Sequence, residues 1–594
     1  MKIRIFLAAI VFFLLQNQPL SAQVRPATAP KDSVEILYSD LLEYTMRGTE
    51  QVKKLKGRCR LRQRNALLFC DSAIVDNASN VLARGNVVMQ QADSVTIFAD
   101  SANYFGSRRV ADLFGKEVVL VSADKKLFTK QLNYDLNTKI ATYNTTSTLA
   151  NSRTQLTSRR GSYNVASNEA FFKDQVSVVD TKFSLKTDTL KFDTKNNVAT
   201  FLAPTLILQD TAQIYTEAGK YDINNEYAEF TRTPQYLKND QSAQADTMRY
   251  DGKEKLLSLF GNARTRNATQ QASANQIRYF QKTEETFLEG NARFSDTTQN
   301  IASDTIQFNG KSKNFATRGR SRIADKAQIL EADVVDFNST DSIGVAHGNV
   351  IWVDTIQKIS IKSSDIEYDR RRDYVKASGK RPLMTNIIEN DTLWLRADTI
   401  LSYKKNITDT TRQLQAWRNT RLFKKDFQAV CDSLAFSETD SIFRLFYQPV
   451  IWSDTSQFSG DTIRLLLKNQ KIHQLVIRRE AFIINSRDNI YFNQIKGRNC
   501  TAFFEDGKVR RVHVEGNAQS TYYALDEKNA YIGVNSAQCS EMMIYFGDSK
   551  VEKIVFLSQP VAKMEPMKQA DHEKLKLKGF KWWTERRPKS WKDL

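Results

Sequence analysis

Short stretches of this chain alternate apolar and polar residues with a period of two. In Asp304-Thr305-Ile306-Gln307-Phe308, Ile306 and Phe308 share one parity, while Thr305 and Gln307 take the other. A half-buried β-strand, which places successive side chains on opposite faces, produces this pattern. No window of comparable length carries a convincing apolar stripe with a period of 3.6 residues. The alternation therefore predicts an all-β protein.

The alternating stretches are copies of one motif, Asp-[Ser/Thr]-aliphatic-x-[Tyr/Phe]. Clear copies begin at Asp188, Asp246, Asp304, Asp432 and Asp461, and looser copies begin at Asp71, Asp100, Asn275, Asp333 and Asp398. The anchors at 246, 275, 304 and 333 are 29 residues apart. A Gly-Asn-[Ala/Val] element at 85, 261, 290, 348 and 516 keeps the same step where its copies are close. Two markers with one period predict a repeat protein whose units stack on their neighbours.

The spacing predicts an elongated body of about sixteen units of ~29 residues. We expect regular repeats over 46–360 and repeats with inserted loops over 361–560, where the period lengthens. Each unit is predicted as strand, tight turn, strand, turn, strand, with Gly-Asn preceding another strand. Hairpin turns are expected at Asn196-Asn197, Asn224-Asn225 and Asp251-Gly252. The motif aspartates are predicted to cap turns or the ladder.

The N-terminus indicates the compartment. Lys2 and Arg4 precede an uncharged apolar stretch from Ile5 to Leu15, and Leu20-Ser21-Ala22 offers a cleavage site. This anatomy is typical of a secretory signal peptide, with an uncleaved anchor as the alternative. We expect removal of residues 1–22, a linker over 23–45 and a mature protein outside the cytoplasm.

Basic residues outnumber acidic ones, 86 to 67, which gives a formal net charge of +19. Near the N-terminus, cations occupy every second position while Leu55, Cys59 and Leu61 take the alternate face of a predicted strand. These cations are Lys54, Lys56, Arg58, Arg60, Arg62 and Arg64. They either bind head-group phosphates or an acidic partner edge, or they protect an edge strand from unwanted pairing.

The basic, aromatic tail at 561–594 either docks at a membrane surface or partner or is solvated.

The repeated elements resemble the OstA/LptA family of lipopolysaccharide transport proteins. The resemblance is carried by Ala245-Asp246 to Tyr250 with Phe260-Gly261-Asn262-Ala263, and by Ala332-Asp333 to Phe337 with Ala346-His347-Gly348-Asn349-Val350. The chain is far longer than an ordinary periplasmic member, so it looks more like the extended OstA-like proteins of the Bacteroidetes type. The resemblance implies an open, V-shaped antiparallel β-jellyroll in the periplasm that carries acyl chains in an apolar trough toward the outer membrane.

The resemblance also implies partners: lipopolysaccharide or a related glycolipid, LptC- or LptD-like envelope proteins, and an end-to-end homo-oligomer. One row of apolar side chains on a shared parity forms the candidate lipid trough. Its members are Tyr104, Leu190, Phe192, Met248, Tyr250, Ile306, Phe308, Val335, Phe337, Leu434 and Phe436. The alternative for the same row is an ordinary closed core.

The residue types give no sign of catalysis. The four histidines are far apart, and no zinc-protease, G-x-S-x-G, P-loop or dinucleotide-binding motif is present. The five cysteines contain no C-x-x-C pair, which argues against a zinc site and a disulfide scaffold, although a Cys59–Cys70 bridge across a hairpin stays open. We therefore predict a non-enzyme without cofactor, metal or nucleic-acid partner. A secreted structural or adhesive β-solenoid without lipid cargo is the alternative function.

Overall fold

The computed structural model describes residues 32–594 except 93–94, 151–153, 182, 389–390, 407, 470 and 548–549. The predicted signal peptide at 1–22 and the predicted linker as far as residue 31 lie outside the described residues. The chain divides into two compact units, Met1–Asp210 and Thr211–Leu594. Within the described residues there is no α-helix, so the predicted all-β class is confirmed.

The described part of the first unit contains strands β1 to β16. Their bounds are β1 Glu35–Tyr38, β2 Leu41–Arg47, β3 Glu50–Gln63, β4 Ala66–Val75, β5 Asn80–Gln91, β6 Val95–Phe105, β7 Val110–Ser122, β8 Lys125–Asp135, β9 Ile140–Tyr143, β10 Ser147–Ala150, β11 Gln155–Ser158, β12 Arg160–Asn164, β13 Glu169–Val179, β14 Ser184–Asp193, β15 Val198–Phe201 and β16 Thr205–Gln209.

The described part of the second unit contains strands β17 to β46 and two short 3₁₀ helices, Thr584–Arg586 and Trp591–Asp593. The first strands are β17 Ala212–Thr216, β18 Ala218–Asp222, β19 Tyr227–Thr231, β20 Gln235–Lys238, β21 Gln241–Gln244, β22 Thr247–Asp251, β23 Leu256–Arg266, β24 Gln271–Phe280, β25 Glu285–Ser295, β26 Gln299–Asn309, β27 Phe315–Asp325, β28 Gln328–Asn338, β29 Ile343–Asp354, β30 Ile359–Asp369 and β31 Tyr374–Ser378. The remaining strands are β32 Leu383–Ile388, β33 Asp391–Arg396, β34 Thr399–Lys404, β35 Arg412–Phe423, β36 Gln428–Ser437, β37 Ile442–Phe446, β38 Val450–Ser453, β39 Ser456–Ser459, β40 Thr462–Lys468, β41 Lys471–Asn485, β42 Asn493–Glu505, β43 Lys508–Leu525, β44 Tyr531–Gly547, β45 Lys550–Leu557 and β46 Val561–Pro566.

The strands form an antiparallel ladder in which each long strand pairs with the strands before and after it in sequence. Tight turns join them, and the side chain of a strand-ending Asp or Asn fixes the turn. Asp193, for example, accepts hydrogen bonds from the main-chain amides of Lys195 and Asn196, both at 3.0 Å. Side chains of this kind mimic a backbone turn. The turns predicted at Asn196-Asn197, Asn224-Asn225 and Asp251-Gly252 are confirmed: the first two pairs lie between strands, and the third spans the end of β22 and the start of the turn after it.

The Gly-Asn element is a β-bulge inside a strand, so the prediction that it precedes a new strand was wrong. Gly261 and Asn262 of β23 together oppose one residue of β24, and the register slips between Phe260 and Ala263. Both bulge residues have positive φ, 71° for Gly261 and 47° for Asn262. The Asn262 amide donates to the Asp246 carboxylate at 3.0 Å. The motif aspartate therefore caps a bulge. The same trio recurs at Asp71 with Gly85 and Asn86, and at Asp333 with Gly348 and Asn349.

A Cβ atom on the bulge glycine would collide with the carboxylate of this aspartate. Glycine also adopts positive φ without the steric penalty that a side chain brings. The two sequence markers are thus the two halves of one bulge, brought together by strand pairing. Because a bulge bends its strand, its recurrence places a corner at the same height in successive strands.

The buried parity of a strand changes at this corner. In β26, Gln299, Ile301 and Ser303 are buried before Asp304, and Ile306 and Phe308 are buried after it. We call the segments in register with 299–303 arm A and those in register with 305–309 arm B. In the first unit the equivalent segments include 59–63 and 87–91 in arm A, and 101–105 and 131–135 in arm B.

The apolar sides of the two arms face each other and form the core. Phe294, in arm A, stacks on Phe308, in arm B, with ring centroids 5.0 Å apart. Phe458 and Phe504 make a similar contact between the arms, with centroids 6.3 Å apart. We call the side where the arm tips meet, away from the corner, the mouth.

Candidate functional site

The predicted trough residues lie on the inner faces of the arms, in two layers. The aliphatic members next to the corner are almost completely buried: Leu190, Met248, Ile306, Val335 and Leu434 are 0–2% exposed. The aromatic members lie two residues nearer the mouth. Phe308 and Phe337 are each 8% exposed and Tyr104 is 5% exposed, whereas Phe192, Tyr250 and Phe436 are only partly buried. The inner surface therefore becomes more accessible toward the mouth.

The aromatic layer is packed against itself. Phe337 stacks on Phe315, with centroids 5.1 Å apart, and on Tyr368 at 6.0 Å. Phe436 stacks on Phe443 at 4.2 Å. Offset aromatic pairs of this kind contribute about 0.5–1.5 kcal/mol beyond the area they bury. These pairs join neighbouring or next-neighbouring strands of arm B, whereas the Phe294–Phe308 contact joins the inner faces of the two arms. The role of the row in lipid binding stays a prediction.

Polar side chains bridge the mouth of the first unit, and sequence analysis missed them. The hydroxyl of Tyr104, in arm B, donates to the side-chain oxygen of Gln63, at the tip of arm A. The hydroxyl of Tyr134 donates to Gln91 in the same way, at 2.6 Å. Burial raises the pKa of Tyr134 to about 12, so the hydroxyl keeps its proton. Each bridge is a neutral hydrogen bond between arms.

Charged groups bridge the mouth of the second unit at equivalent heights. The Arg370 guanidinium donates to the Gln299 side chain at 2.8 Å, and the Gln328 amide donates to the Asp373 carboxylate at 2.9 Å. Buried Arg412 pairs with Asp373 at 2.9 Å. Burial raises the pKa of the Asp373 carboxyl, but the charges and hydrogen bonds of Arg412 and neighbouring Lys404 lower it by a larger amount. The net pKa is therefore below the usual 3.8.

The sequence does contain a signal for the bridges. Glutamines recur at the first or last position of arm A strands, at 63 and 91 and again at 299 and 328, with nearly the repeat period. A polar residue on the buried parity of a strand requires a partner. That requirement points to bridges at these positions, although it does not identify the residue on the other arm.

The cationic stripe of β3 lies on the outer face, while Leu55, Cys59 and Leu61 are buried as predicted. Three of its six cations pair with acidic residues near β1. Arg58 contacts Asp40 at 2.7 Å, Arg62 contacts Glu35 at 2.6 Å, and Arg64 contacts Asp32. Lys54, Lys56 and Arg60 form no ion pair within the described residues. The stripe therefore holds the N-terminal edge strand and keeps some cations available. Its binding of phosphate stays a prediction.

The C-terminal segment 571–594, which we call the strap, crosses successive strands of the second unit. Three glutamine side chains accept hydrogen bonds from the strap. The main-chain amide of Leu577 donates to Gln494 at 2.8 Å, and that of Trp583 donates to Gln457 at 2.9 Å. The Arg587 guanidinium donates to Gln428 at 2.8 Å. The solvated alternative for this segment is therefore wrong. Docking of the tail at a membrane or partner stays a prediction.

The strap covers the outer side of arm A. Val430, Val450 and Trp452 face away from arm B and form a small apolar cluster, against which Trp583 packs. Trp591 stacks on Trp394 with ring centroids 4.6 Å apart. Residues on both faces of these strands are consequently buried, which explains why strict alternation of burial fails at 428–431 and 481–484. The last strand, at 561–566, also extends past the predicted end of the repeats at 560.

The described residues contain no group of His, Cys, Asp or Glu side chains arranged to hold a metal ion. His347 pairs with Asp365 at 2.7 Å, and His513 contacts Glu541, far along the chain. Both are isolated pairs on the ladder. Among the described residues, no helix is long and apolar enough to cross a membrane.

The fold and the inner faces define an all-β repeat protein of the jellyroll type. The family described as "OstA-like protein" matches residues 31–188, and the family "LptA/(LptD N-terminal domain) LPS transport protein" matches 155–270 and 264–314. Residues 31–314 are thus similar to the OstA/LptA-like lipopolysaccharide transport proteins. A comparison with curated protein sequences finds no match.

Two solved structures show distant likeness. The first is LptH, the LptA homologous periplasmic component of the lipopolysaccharide transport device from Pseudomonas aeruginosa. It is 12% identical, with a TM-score of 0.15, over 25% of this chain and 80% of LptH. The second is the WD40 domain of SCAP from fission yeast, 9% identical with a TM-score of 0.10, over 60% of this chain and 96% of that domain. At these TM-scores neither likeness carries an argument.

Proposed function

We propose that this protein is an exported, non-enzymatic component of the cell envelope that binds lipopolysaccharide or a related glycolipid and passes it toward the outer membrane. The observation that carries the proposal is the graded inner surface, with buried aliphatic side chains near the corner and partly exposed aromatic side chains near the mouth. The family matches over residues 31–314 support the same cargo class. The chain acts in the periplasm and requires no cofactor.

Cargo entry requires the arms to separate, because their inner faces touch. Each methylene of an acyl chain contributes about 0.8 kcal/mol on burial, so a chain of about twelve carbons gains close to 9 kcal/mol. A mouth bridge such as Tyr134–Gln91 contributes about 1 kcal/mol net. The free energy gained by burying one acyl chain therefore exceeds the free energy lost when a few bridges break. The bridges restrain the arms when no cargo is bound.

Strand edges supply the partner sites of this proposal. At the N-terminal end, β3 carries two short partners, β1 and β2. Leu41, Leu42, Tyr44 and Met46 of β2 are each more than 40% exposed. At the C-terminal end, β44 carries the short strands β45 and β46. Exposed strand edges accept further strands. An LptC- or LptD-like envelope protein, or a second copy of this chain, pairs a strand of its own with one of these edges.

The test compares neighbouring residues on opposite faces of β26. A photo-crosslinking residue replaces Phe308, which faces inward, or Gln307, which is exposed and faces outward. Tyr250 and Arg249 form a second pair of the same design. After irradiation of living cells, we expect glycolipid adducts at Phe308 and Tyr250 and none at the outward positions. Adducts at the outward positions alone would contradict the proposed path.

The second candidate function is a secreted structural or adhesive β-solenoid without lipid cargo. The tight packing at Ile306 and Val335, both 0% exposed, favours it. In that case the inward positions would crosslink only to protein. A bulky replacement there would overpack the core and destabilise it by about 1–3 kcal/mol, so cargo binding and a closed core predict different products.

A further inference from the structure

The hairpin formed by β3 and β4 contains two buried cysteines side by side. Cys59 of β3 and Cys70 of β4 are direct partners in the register, and both thiols are free. They are 1% and 4% exposed. The sulfur of Cys59 lies 3.6 Å from the carbonyl oxygen of Asp71, the residue next to Cys70. Cys59 therefore points at its partner strand, beside the other cysteine.

This arrangement satisfies the geometric condition for a disulfide bond. Directly opposed residues of antiparallel strands have Cα atoms about 4.5–5.5 Å apart, inside the range of about 4.4–6.8 Å that disulfides span. The other three cysteines lack such a neighbour: Cys431 opposes Thr420, Cys500 opposes Ile477 and Val514, and Cys539 opposes Ala518.

We propose that Cys59 and Cys70 are joined by a cross-strand disulfide bond in the exported protein, a proposal that takes only the export step from the proposed function. The oxidant is the disulfide of a thiol–disulfide oxidoreductase. One cysteine thiolate attacks that disulfide and forms a mixed disulfide. The second thiolate then displaces the oxidant's sulfur. The chain loses two protons and two electrons, and the oxidant leaves as a dithiol.

The bond forms before the hairpin is fully buried. Burial raises the pKa of the Cys59 thiol and raises that of Cys70 to about 12, so the reactive thiolate is scarce in the folded chain. Oxidation during folding avoids this barrier. Once formed, the buried bond is also shielded from reductants.

The position of the bond indicates that it holds β3 to β4 at the N-terminal edge of the sheet. Cys59 follows the bulge residue Arg58, which pairs with Asp40, and Cys70 precedes Asp71, which caps the next bulge. β3 is also the strand that carries β1 and β2. A covalent tie there prevents β3 from sliding or peeling away from β4 when a partner pulls on the N-terminal edge.

The test counts thiols in the full-length protein isolated from the envelope. The sample is quenched in acid, denatured and alkylated without reductant, and its intact mass is measured. We expect three adducts, rising to five after reduction, because the chain has five cysteines. The Cys59→Ser variant should give four adducts with or without reductant. The matched control, Cys500→Ser, should give two and then four.

Tryptic mapping identifies the bonded pair. Cleavage after Arg58, Arg60 and Arg64 separates Cys59 from Cys70, which lies in the peptide 65–84, so the two pieces stay joined only through the bond. Five adducts without reduction in envelope-located protein would overturn the proposal, as would a bond from either residue to another cysteine. The readout does not depend on cargo, so failure of lipid binding leaves it unchanged.

Discussion

Replacing a bulge glycine should loosen the corner of its repeat. Gly348 has a φ of 76°, and a Cβ atom there would overlap the carboxylate of Asp333. The Gly348→Ala variant therefore combines backbone strain with a steric clash. Left-handed backbone costs a residue with a side chain about 1–2 kcal/mol, and overpacking costs about 1–3 kcal/mol. We expect a local loss of about 2–4 kcal/mol, allowing for relaxation of the carboxylate.

Hydrogen exchange measured by mass spectrometry reports this loss strand by strand. Because each 1.4 kcal/mol is about tenfold in an equilibrium constant, amides of β28 and β29 should exchange roughly 30- to 700-fold faster where local opening controls exchange. Removing the carboxylate as well, in the double variant Asp333→Ala with Gly348→Ala, should relieve the steric clash. The backbone strain at position 348 should remain. The control is Gly310→Ala, at a turn without positive φ. Equal exchange in the variant and the wild type would refute the bulge argument.

Three further outcomes follow from the site. Exchanging the charges of Arg62 and Glu35 should restore the protection of β1 that Arg62→Glu alone removes, an effect of about 0.2–1 kcal/mol that weakens with salt. The Trp583→Ala variant should uncover the outer face of arm A and weaken strap docking by about 2 kcal/mol, measured as faster exchange in 450–458. Because the folded pKa of Asp373 is lowered, its stabilising contribution is present above pH 3.8 and is lost as the pH falls from there through the folded pKa. Exchange around Arg412 should therefore rise only in acid, and an unchanged acid profile would contradict that pairing.

Local alternation was enough to predict the strands and their inner faces. Ile306 and Phe308 face inward and Gln307 outward, as their parity indicates. The turns were predictable for a similar reason, since an Asp or Asn side chain builds them from residues two and three positions away. These features depend on neighbours in sequence, and the sequence contains those neighbours.

Features that depend on strand pairing were not predictable in the same way. The sequence predicts that Gly261-Asn262 precedes a strand, and only its contact with Asp246 and the pairing of β23 show that it bends a continuing strand. The strap was missed because its apolar partners, such as Trp452, come from strands more than a hundred residues away. The acid partners of Arg58 and Arg62 likewise depend on how β1 returns to β3.

The bulge has a consequence for the evolution and engineering of chain length. In the regular region each corner joins an Asp or Asn anchor on one strand to a glycine on the next, and the anchors at 246, 275, 304 and 333 repeat at a constant step. Deleting or duplicating one whole step of 29 residues in this region leaves every remaining anchor opposite a glycine. Deleting a single residue instead turns a strand's apolar side chains to the opposite face. Within the strands of this region the protein can thus be lengthened or shortened only by whole repeats, while insertions of other lengths are confined to the connecting loops.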